Sequence, residues 1–248
     1  MSDRVKCVAI MQPTFLPWVG YFDLIDQVDE FVFLDNVQFE KQSWQQRNRI
    51  LGNKGLEWIT VPVLTNGRFG QKIYDVEIQT ADFPTKQLKS IEHNYSRAPF
   101  FSSYWDELRS IIGSVNESPS LAQLNMRLIR WLSACFQIKG CFSVSSEMRL
   151  EDGRSRRLVE IIKTIGAARY ISPMGAAVYL QHDHNFFLDA GIEIVFQSYL
   201  PQQYQQLQPG FTSGVCALDI LFNEGINAGP IILAGRRRPL SFNEVRYE

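Results

Sequence analysis

Histidine is scarce in this chain, cysteine is sparse and unpaired, neither sign of charge is in excess, and no long apolar run occurs. Each shortage closes off a class of function. Three histidines, His93, His182 and His184, leave few candidates for proton transfer near neutrality. His182 and His184 stand two positions apart, a spacing that diverges on a helix, and no third ligand is evident, so no metal site is expected and a solvated loop is the simpler reading. Cys7, Cys135, Cys141 and Cys216 lack the C-x-x-C spacing of zinc or redox sites, which leaves reduced, mostly buried thiols packing as small apolar groups. With Lys+Arg at 25 and Asp+Glu at 26, no global field favours a polyanion, so DNA is not an expected partner. The apolar residues ahead of Gln12 are too few for a signal-peptide core or a membrane span, so a cytoplasmic protein without stable membrane insertion is expected. No solenoid-period repeat and no low-complexity linker is present.

What is present reads as a globular α/β protein. A content of 45% hydrophobic and 21% charged residues over 248 positions is enough to bury one large core. Val5 to Met11 is apolar without clear alternation, as in a strand buried on both faces. Pro13 ends it, and Pro17 falls at the start of a helix whose Trp18, Tyr21, Phe22 and Ile25 share one face. Phe31 to Leu34 is a second buried strand, so this opening unit predicts a right-handed βαβ crossover. Trp58 to Val63 and Lys72 to Ile78 read as further strands. A helical insertion is expected over residues 84–137, with an apolar stripe through Leu121, Leu124, Leu128 and Trp131. Beyond it the pattern predicts a helix from Arg154 to Ile165, a strand from Arg169 to Ser172, a broken helix from Ala176 to Ala190, a strand from Ile192 to Gln197 and a short helix from Val215 to Asn223. The basic cluster Arg236-Arg-Arg-Pro reads as a solvated tail. The fold class expected is α/β and Rossmann-like, with a mainly parallel sheet in a single domain carrying the helical insertion.

Ligands of open parallel sheets sit beyond the carboxyl ends of the strands. Three loops qualify. The first, Gln12 to Gly20, runs into a helix start that can receive an anion, with Gln12, Thr14, Trp18 and Gly20 as candidate contacts, although it is not a Gly-rich phosphate cradle. Its plain alternative is a Pro-stiffened turn. The second begins at Asp35, Asn36 and Gln38 and continues through Trp44, Arg47, Asn48 and Arg49. There Asp35 either ends a strand or acts as a general base, and the arginines either face solvent or hold phosphate. The third is Ser172 to Gly175, where Gly175 permits close backbone approach. His93 is a candidate proton acceptor or a structural helix residue. Tyr199 and Tyr204, set among glutamines, suit sugar or nucleotide recognition as well as simple solubility.

Gln12-Pro-Thr-Phe-Leu-Pro-Trp-Val-Gly-Tyr-Phe, Asp35-Asn-Val-Gln-Phe, Arg47-Asn-Arg-Ile, Trp58-Ile-Thr-Val-Pro-Val63, Tyr95 with Ala98-Pro-Phe-Phe101, and Leu218-Asp-Ile-Leu-Phe-Asn-Glu-Gly225 together resemble the WbqC-like protein family. They are spread over nearly the whole chain. The resemblance implies a bacterial cytoplasmic protein of O-antigen or other surface-polysaccharide synthesis, with transfer of glycine or another acyl group to an amino sugar. Ser172-Pro-Met-Gly departs from the Gly-containing turn expected directly after that serine. A fainter resemblance is to nucleotidyltransferase-type Rossmann domains, but the loop here reads Pro17-Trp-Val-Gly20-Tyr21 without either histidine of their His-x-Gly-His signature, which argues against ATP chemistry of that kind.

Two functions therefore fit these residues. The first is an acyl or aminoacyl transferase forming an amide on a nucleotide-linked amino sugar, with Asp35 or His93 as proton acceptor and Arg47 or Arg49 on the diphosphate. No cofactor is indicated. The donor is left open among a thioester, an acyl-adenylate and an aminoacyl-tRNA, the tRNA being allowed rather than indicated. The second is a non-catalytic nucleotide-sugar-binding protein of the same pathway. The sequence sets no oligomeric state.

Overall fold

The apolar residues of the strands face two different cores, and this alternation builds the molecule. A computed structural model describes residues 5–150 and 153–245. In chain order the elements are β1 (Cys7–Met11), α1 (Val19–Asp26), β2 (Glu30–Phe33), β3 (Arg47–Gly52), β4 (Gly55–Thr60), α2 (Thr85–Tyr95), α3 (Phe101–Gly113), α4 (Leu121–Cys135) and β5 (Phe142–Val144). There follow α5 (Arg154–Ile165), β6 (Arg169–Ser172), α6 (Ala177–Asp189), β7 (Glu193–Tyr199), α7 (Leu218–Glu224), α8 (Ala228–Ala234) and β8 (Arg236–Ser241). Ala9, Phe31, Phe33, Ile171 and Val195 pack with α1, α4, α7 and α8. Their neighbours Val8, Ile10, Val32, Tyr170, Ile194 and Phe196 pack on the opposite face with α5 and α6. Period-two side chains with both faces apolar are what a central strand requires. No helix among the described residues is long and apolar enough to cross a membrane.

Six strands form one sheet in the order β5-β2-β1-β6-β7-β8. The first five are parallel and β8 runs antiparallel to β7. The fold is α/β and Rossmann-like. The chain leaves β1 toward β2 on one side and returns on the other at β6, so the strand order reverses between β1 and β6, the position where such sheets open a crevice. The excursion from β2 to β5 carries the β3-β4 hairpin, a separate two-stranded sheet, and helices α2 to α4.

Several expectations need correction. Lys72 to Ile78 is not a strand: it makes isolated bridges alone, Gln38 to Lys72, Val63 to Ile78 and Glu77 to Ser120, around a single tight turn, Ile73–Asp75. Its apolar spacing serves the core instead, since Ile73, Val76 and Ile78 are buried, and the backbone carbonyl of Val76 accepts from Leu121 N at 3.0 Å at the start of α4. The strand expected from Trp58 begins earlier, at Gly55, and stops at Thr60, short of Pro62, which could not donate to a ladder. β3 and β5 were not anticipated. Residues 177–189 form one unbroken helix, so His182 and His184 are helical rather than in a loop, and the His184 ring stacks on Phe242 at 3.6 Å.

The basic cluster expected to be a solvated tail is the edge strand β8. Arg236 donates from Nε to Asp23 Oδ1 at 2.8 Å and from Nη2 to Asp26 Oδ2 at 2.6 Å. Asp23 is fully buried and also accepts from Gln197 Nε2 at 2.8 Å and Gln27 Nε2 at 2.6 Å. This carboxylate fastens α1 to β7 and β8, and loss of Arg236 would leave a buried charge without its cation. Because the Arg236 side chain is 35% exposed, water offsets part of that loss. Arg236→Met is expected to lower unfolding stability by about 2 kcal/mol, measured by urea denaturation, with a surface control such as Arg109→Met near zero.

Candidate active site at the strand-order reversal

The loop after β1 is held open by side-chain amides rather than by regular structure. Leu16 adopts φ +46°, a left-handed conformation disfavoured for a branched residue. Asn48 Nδ2 holds it by donating to the carbonyls of Phe15 at 3.2 Å and Leu16 at 2.7 Å. Asn125, wholly buried on α4, donates to Pro13 O at 3.0 Å and to Gln45 O at 2.7 Å. Phe15 N donates to Trp44 O at 2.9 Å, and Gln45 Nε2 donates to Gln12 Oε1 at 2.9 Å. Segments 12–17 and 43–48 therefore behave as one rigid rim.

Behind this rim a cleft of about 770 Å³ opens at the ends of β1 and β6. Gln12, Thr14 and Trp44 line one side, while Pro173 and Gly175 line the part beyond β6. Arg154 and Arg157 reach it from the first turn of α5, and Tyr179 from α6. The Arg154 guanidinium lies 4.1 Å from the Tyr179 ring centroid, and burial raises the Tyr179 hydroxyl above its usual range, so that phenol is a neutral donor rather than a base. The first turn of α5 has arginine at 154, 156 and 157 and no acidic residue, which puts cations where the helix dipole is already positive. Such a helix start is suited to an anionic ligand. Among the described residues lining the cleft, Glu40 supplies the only carboxylate.

A second cavity of about 310 Å³ adjoins the first and shares Met11, Thr14 and Trp44 with it. Trp18, Asn48 and Arg49 are among its walls. Trp18 rests edge-on against Tyr199, with centroids 5.5 Å apart, and folds over Gly20, where a Cβ would lie 2.4 Å from the indole.

The structure thus gathers Gln12, Thr14, Gln38, Trp44 and Gly175 on the larger cleft and Thr14, Trp18, Trp44, Asn48 and Arg49 on the smaller one. Gly20 supports Trp18 from beneath, and Arg47 stacks beside the smaller cavity on Trp58. Other candidates lie elsewhere. Asp35 is buried and accepts from Ser145 Oγ at 3.0 Å, Ser146 N at 2.9 Å and Ser146 Oγ at 2.7 Å, fastening the end of β2 to the end of β5. It borders a separate cavity of about 400 Å³, not the cleft. Asn36 joins the same brace by accepting from Ser145 Oγ at 2.9 Å. His93 is exposed on α2 and lines none of the three cavities. Ser172 is fully buried, so the backbone that follows it, not its hydroxyl, meets the cleft. Tyr199 donates to Ile232 O at 3.0 Å and supports Trp18. Among the described residues no group of three or more His, Cys, Asp or Glu is placed to hold a metal. Burial pushes the thiols of Cys135 and Cys216 up to about 12, which leaves neither poised as a nucleophile.

A family model described as the WbqC-like protein family matches residues 12–231, a span that takes in every described lining residue of both cavities except Ile10 and Met11. The chain belongs to the WbqC-like protein family. It is also similar to the uncharacterized protein Rv1507c of Mycobacterium tuberculosis, at 37% identity over 225 residues that cover 90% of this chain and 96% of that one. No solved structure matches the chain.

In this WbqC-like protein, sequence reading missed a third group, centred on Asp219 of α7. Asp219 accepts from Tyr204 Oη, Gln206 Nε2 and Asn223 Nδ2, each at 3.2 Å, and from Tyr95 Oη at 3.3 Å. Tyr95 Oη in turn accepts from Leu51 N at 3.0 Å, so the cluster fixes the hairpin that carries Arg47 and Arg49. Tyr204 is a member of this brace and lines neither cavity. Burial, only partly offset by these donors, pushes the Asp219 carboxyl up to about 6. Its folded-state value lies above its unfolded one, so the folded chain binds the extra proton between pH 4 and 6. Stability is therefore expected to fall by about 3 kcal/mol as pH rises through that window and to level above it. Urea denaturation of the wild type and Asp219→Asn from pH 4 to pH 7 checks this, because the substitution should remove the slope.

Proposed function

We propose that this protein transfers an acyl or aminoacyl group, glycyl among the candidates, to the amine of a nucleotide-linked amino sugar used in O-antigen or other surface-polysaccharide synthesis. Membership of the WbqC-like family supports the pathway. The observation that carries the reading is a cleft at the strand-order reversal with an arginine-rich helix start in its wall and a carboxylate on its rim. In this reading Arg154, with Arg157, receives the diphosphate, and Gln12, Thr14 and Gln38 hydrogen-bond the sugar. Glu40 takes the role first considered for Asp35 and His93, because it lines the cleft and they do not.

Glu40 accepts a proton from the sugar ammonium. The freed amine lone pair attacks the acyl carbon, a C–N bond forms, the bond from carbon to the leaving group breaks, and the leaving group departs with that electron pair. The departing group takes up the amine's second proton as the tetrahedral intermediate collapses. Tyr179, neutral and beside Arg154, can donate to the sugar or to phosphate without competing as a base.

Purified protein incubated with amino-sugar nucleotides and activated glycyl or acyl donors is expected to give product with the mass gain of one amide. Glu40→Gln should lower kcat by about 100-fold or more with the sugar nucleotide still bound, and Arg154→Met should raise KM about tenfold. If no pair gives a mass gain and Glu40→Gln binds as the wild type does, the transferase reading fails and the non-catalytic binding protein takes its place.

A further inference from the structure

The smaller cavity carries charge that the proposed sugar site does not use. Arg47 and Arg49, two apart on β3, share one face of the hairpin. Neither guanidinium makes an ion pair or hydrogen bond to another described residue, and both Nε atoms are shielded from solvent without a partner. Each stacks on indole instead: Arg47 lies 4.2 Å from the Trp58 centroid, and Arg49 lies 5.7 Å from that of Trp44 and 5.9 Å from that of Trp58. Those indoles remain 49% and 51% exposed, and Trp18 adds a third at 39%. Gly214, at φ +74°, brings backbone so close that a Cβ would sit 2.9 Å from Arg49 Nη2, which confines the guanidinium on that side.

We infer that this cavity is a second nucleotide site and receives the adenosine end of the activated donor, the base stacking against Trp44 and Trp18 and the adjoining phosphate meeting Arg49 and Arg47. A sugar alone would stack on an indole but leave two cations unanswered. A bare phosphate would leave the apolar walls wet. A nucleoside phosphate satisfies both, because base stacking and charge-assisted guanidinium contacts act on adjacent parts of one molecule. Because the cavities share Met11, Thr14 and Trp44, an acyl group carried by that nucleotide enters the larger cleft. The inference rests on the transfer reading for its donor: an acyl-adenylate, the 3′ end of an aminoacyl-tRNA and a coenzyme A thioester all carry adenosine beside phosphate.

The test is tryptophan fluorescence titration of the full chain with AMP, adenosine and ribose 5-phosphate. AMP is expected to quench saturably and to bind about tenfold or more tighter than either part. Arg49→Met and Trp44→Leu should each weaken AMP about tenfold, Arg49→Lys should weaken it less, and Arg154→Met should leave it unchanged, with far-UV circular dichroism confirming the fold of each variant. AMP binding no tighter than its parts overturns the site, as does unchanged affinity in folded Arg49→Met, or loss of binding in Arg154→Met alone. Competition by coenzyme A or by a short RNA ending in CCA identifies the donor, and AMP binding that resists both assigns an acyl-adenylate. Binding is read without turnover, so AMP affinity without amide product counts against the transfer reaction and not the site. Amide product from a protein that AMP neither binds nor inhibits overturns the site alone.

Discussion

Both cavities depend on four hydrogen bonds from two side-chain amides. Asn48 of β3 and Asn125 of α4 together donate to the carbonyls of Pro13, Phe15, Leu16 and Gln45, which lie in loops outside any strand ladder or helix. A buried carbonyl left without a donor costs about 1–3 kcal/mol, so these contacts hold an otherwise unfavourable chain path. The path matters because it brings the loop after β1 against the segment before β3. Trp44 then stands between the two cavities and lines both.

Charge is divided accordingly. The acidic groups with strong structural partners, Asp23, Asp35 and Asp219, are turned inward and joined to β8, β5 and the hairpin. The cations in or beside the two cavities are stacked on aromatic rings, Arg154 on Tyr179 and Arg47 and Arg49 on indoles. Stacking confines a guanidinium while leaving its in-plane N–H groups available to an anion. A guanidinium confined in this way loses less freedom on meeting any anion than an unstacked one does.

Much of the fold was legible in local pattern. β1, α1, β2, α5 and β6 were recognisable because their apolar periodicity matches what they bury. Lys72 to Ile78 misled for the same reason: its apolar residues are buried, but against α4 rather than in a ladder. The candidate site was only partly legible. Gln12, Thr14, Trp44 and Gly175 follow from the rule about strand ends, whereas Arg154, Arg157 and Tyr179 come from helices distant in sequence. Three arginines in one first turn, set against the helix dipole, were the signal that could have revealed that wall. Nothing local distinguishes Asp35 from Glu40, because both are acids in the same loop.

The sequence by itself determined the parallel α/β class and the family, and it marked the strand-end loops that supply candidate residues, because periodicity, turn chemistry and motif are properties of neighbouring residues. The tertiary structure alone decided which side chains of those stretches meet. It turned Asp35 inward to the serines after β5 and left Glu40 exposed at the cleft, and it made a presumed tail into β8 by supplying Asp23 and Asp26 to Arg236. A carboxylate or guanidinium takes its role from the partner it reaches, and here that partner is commonly more than a hundred positions away.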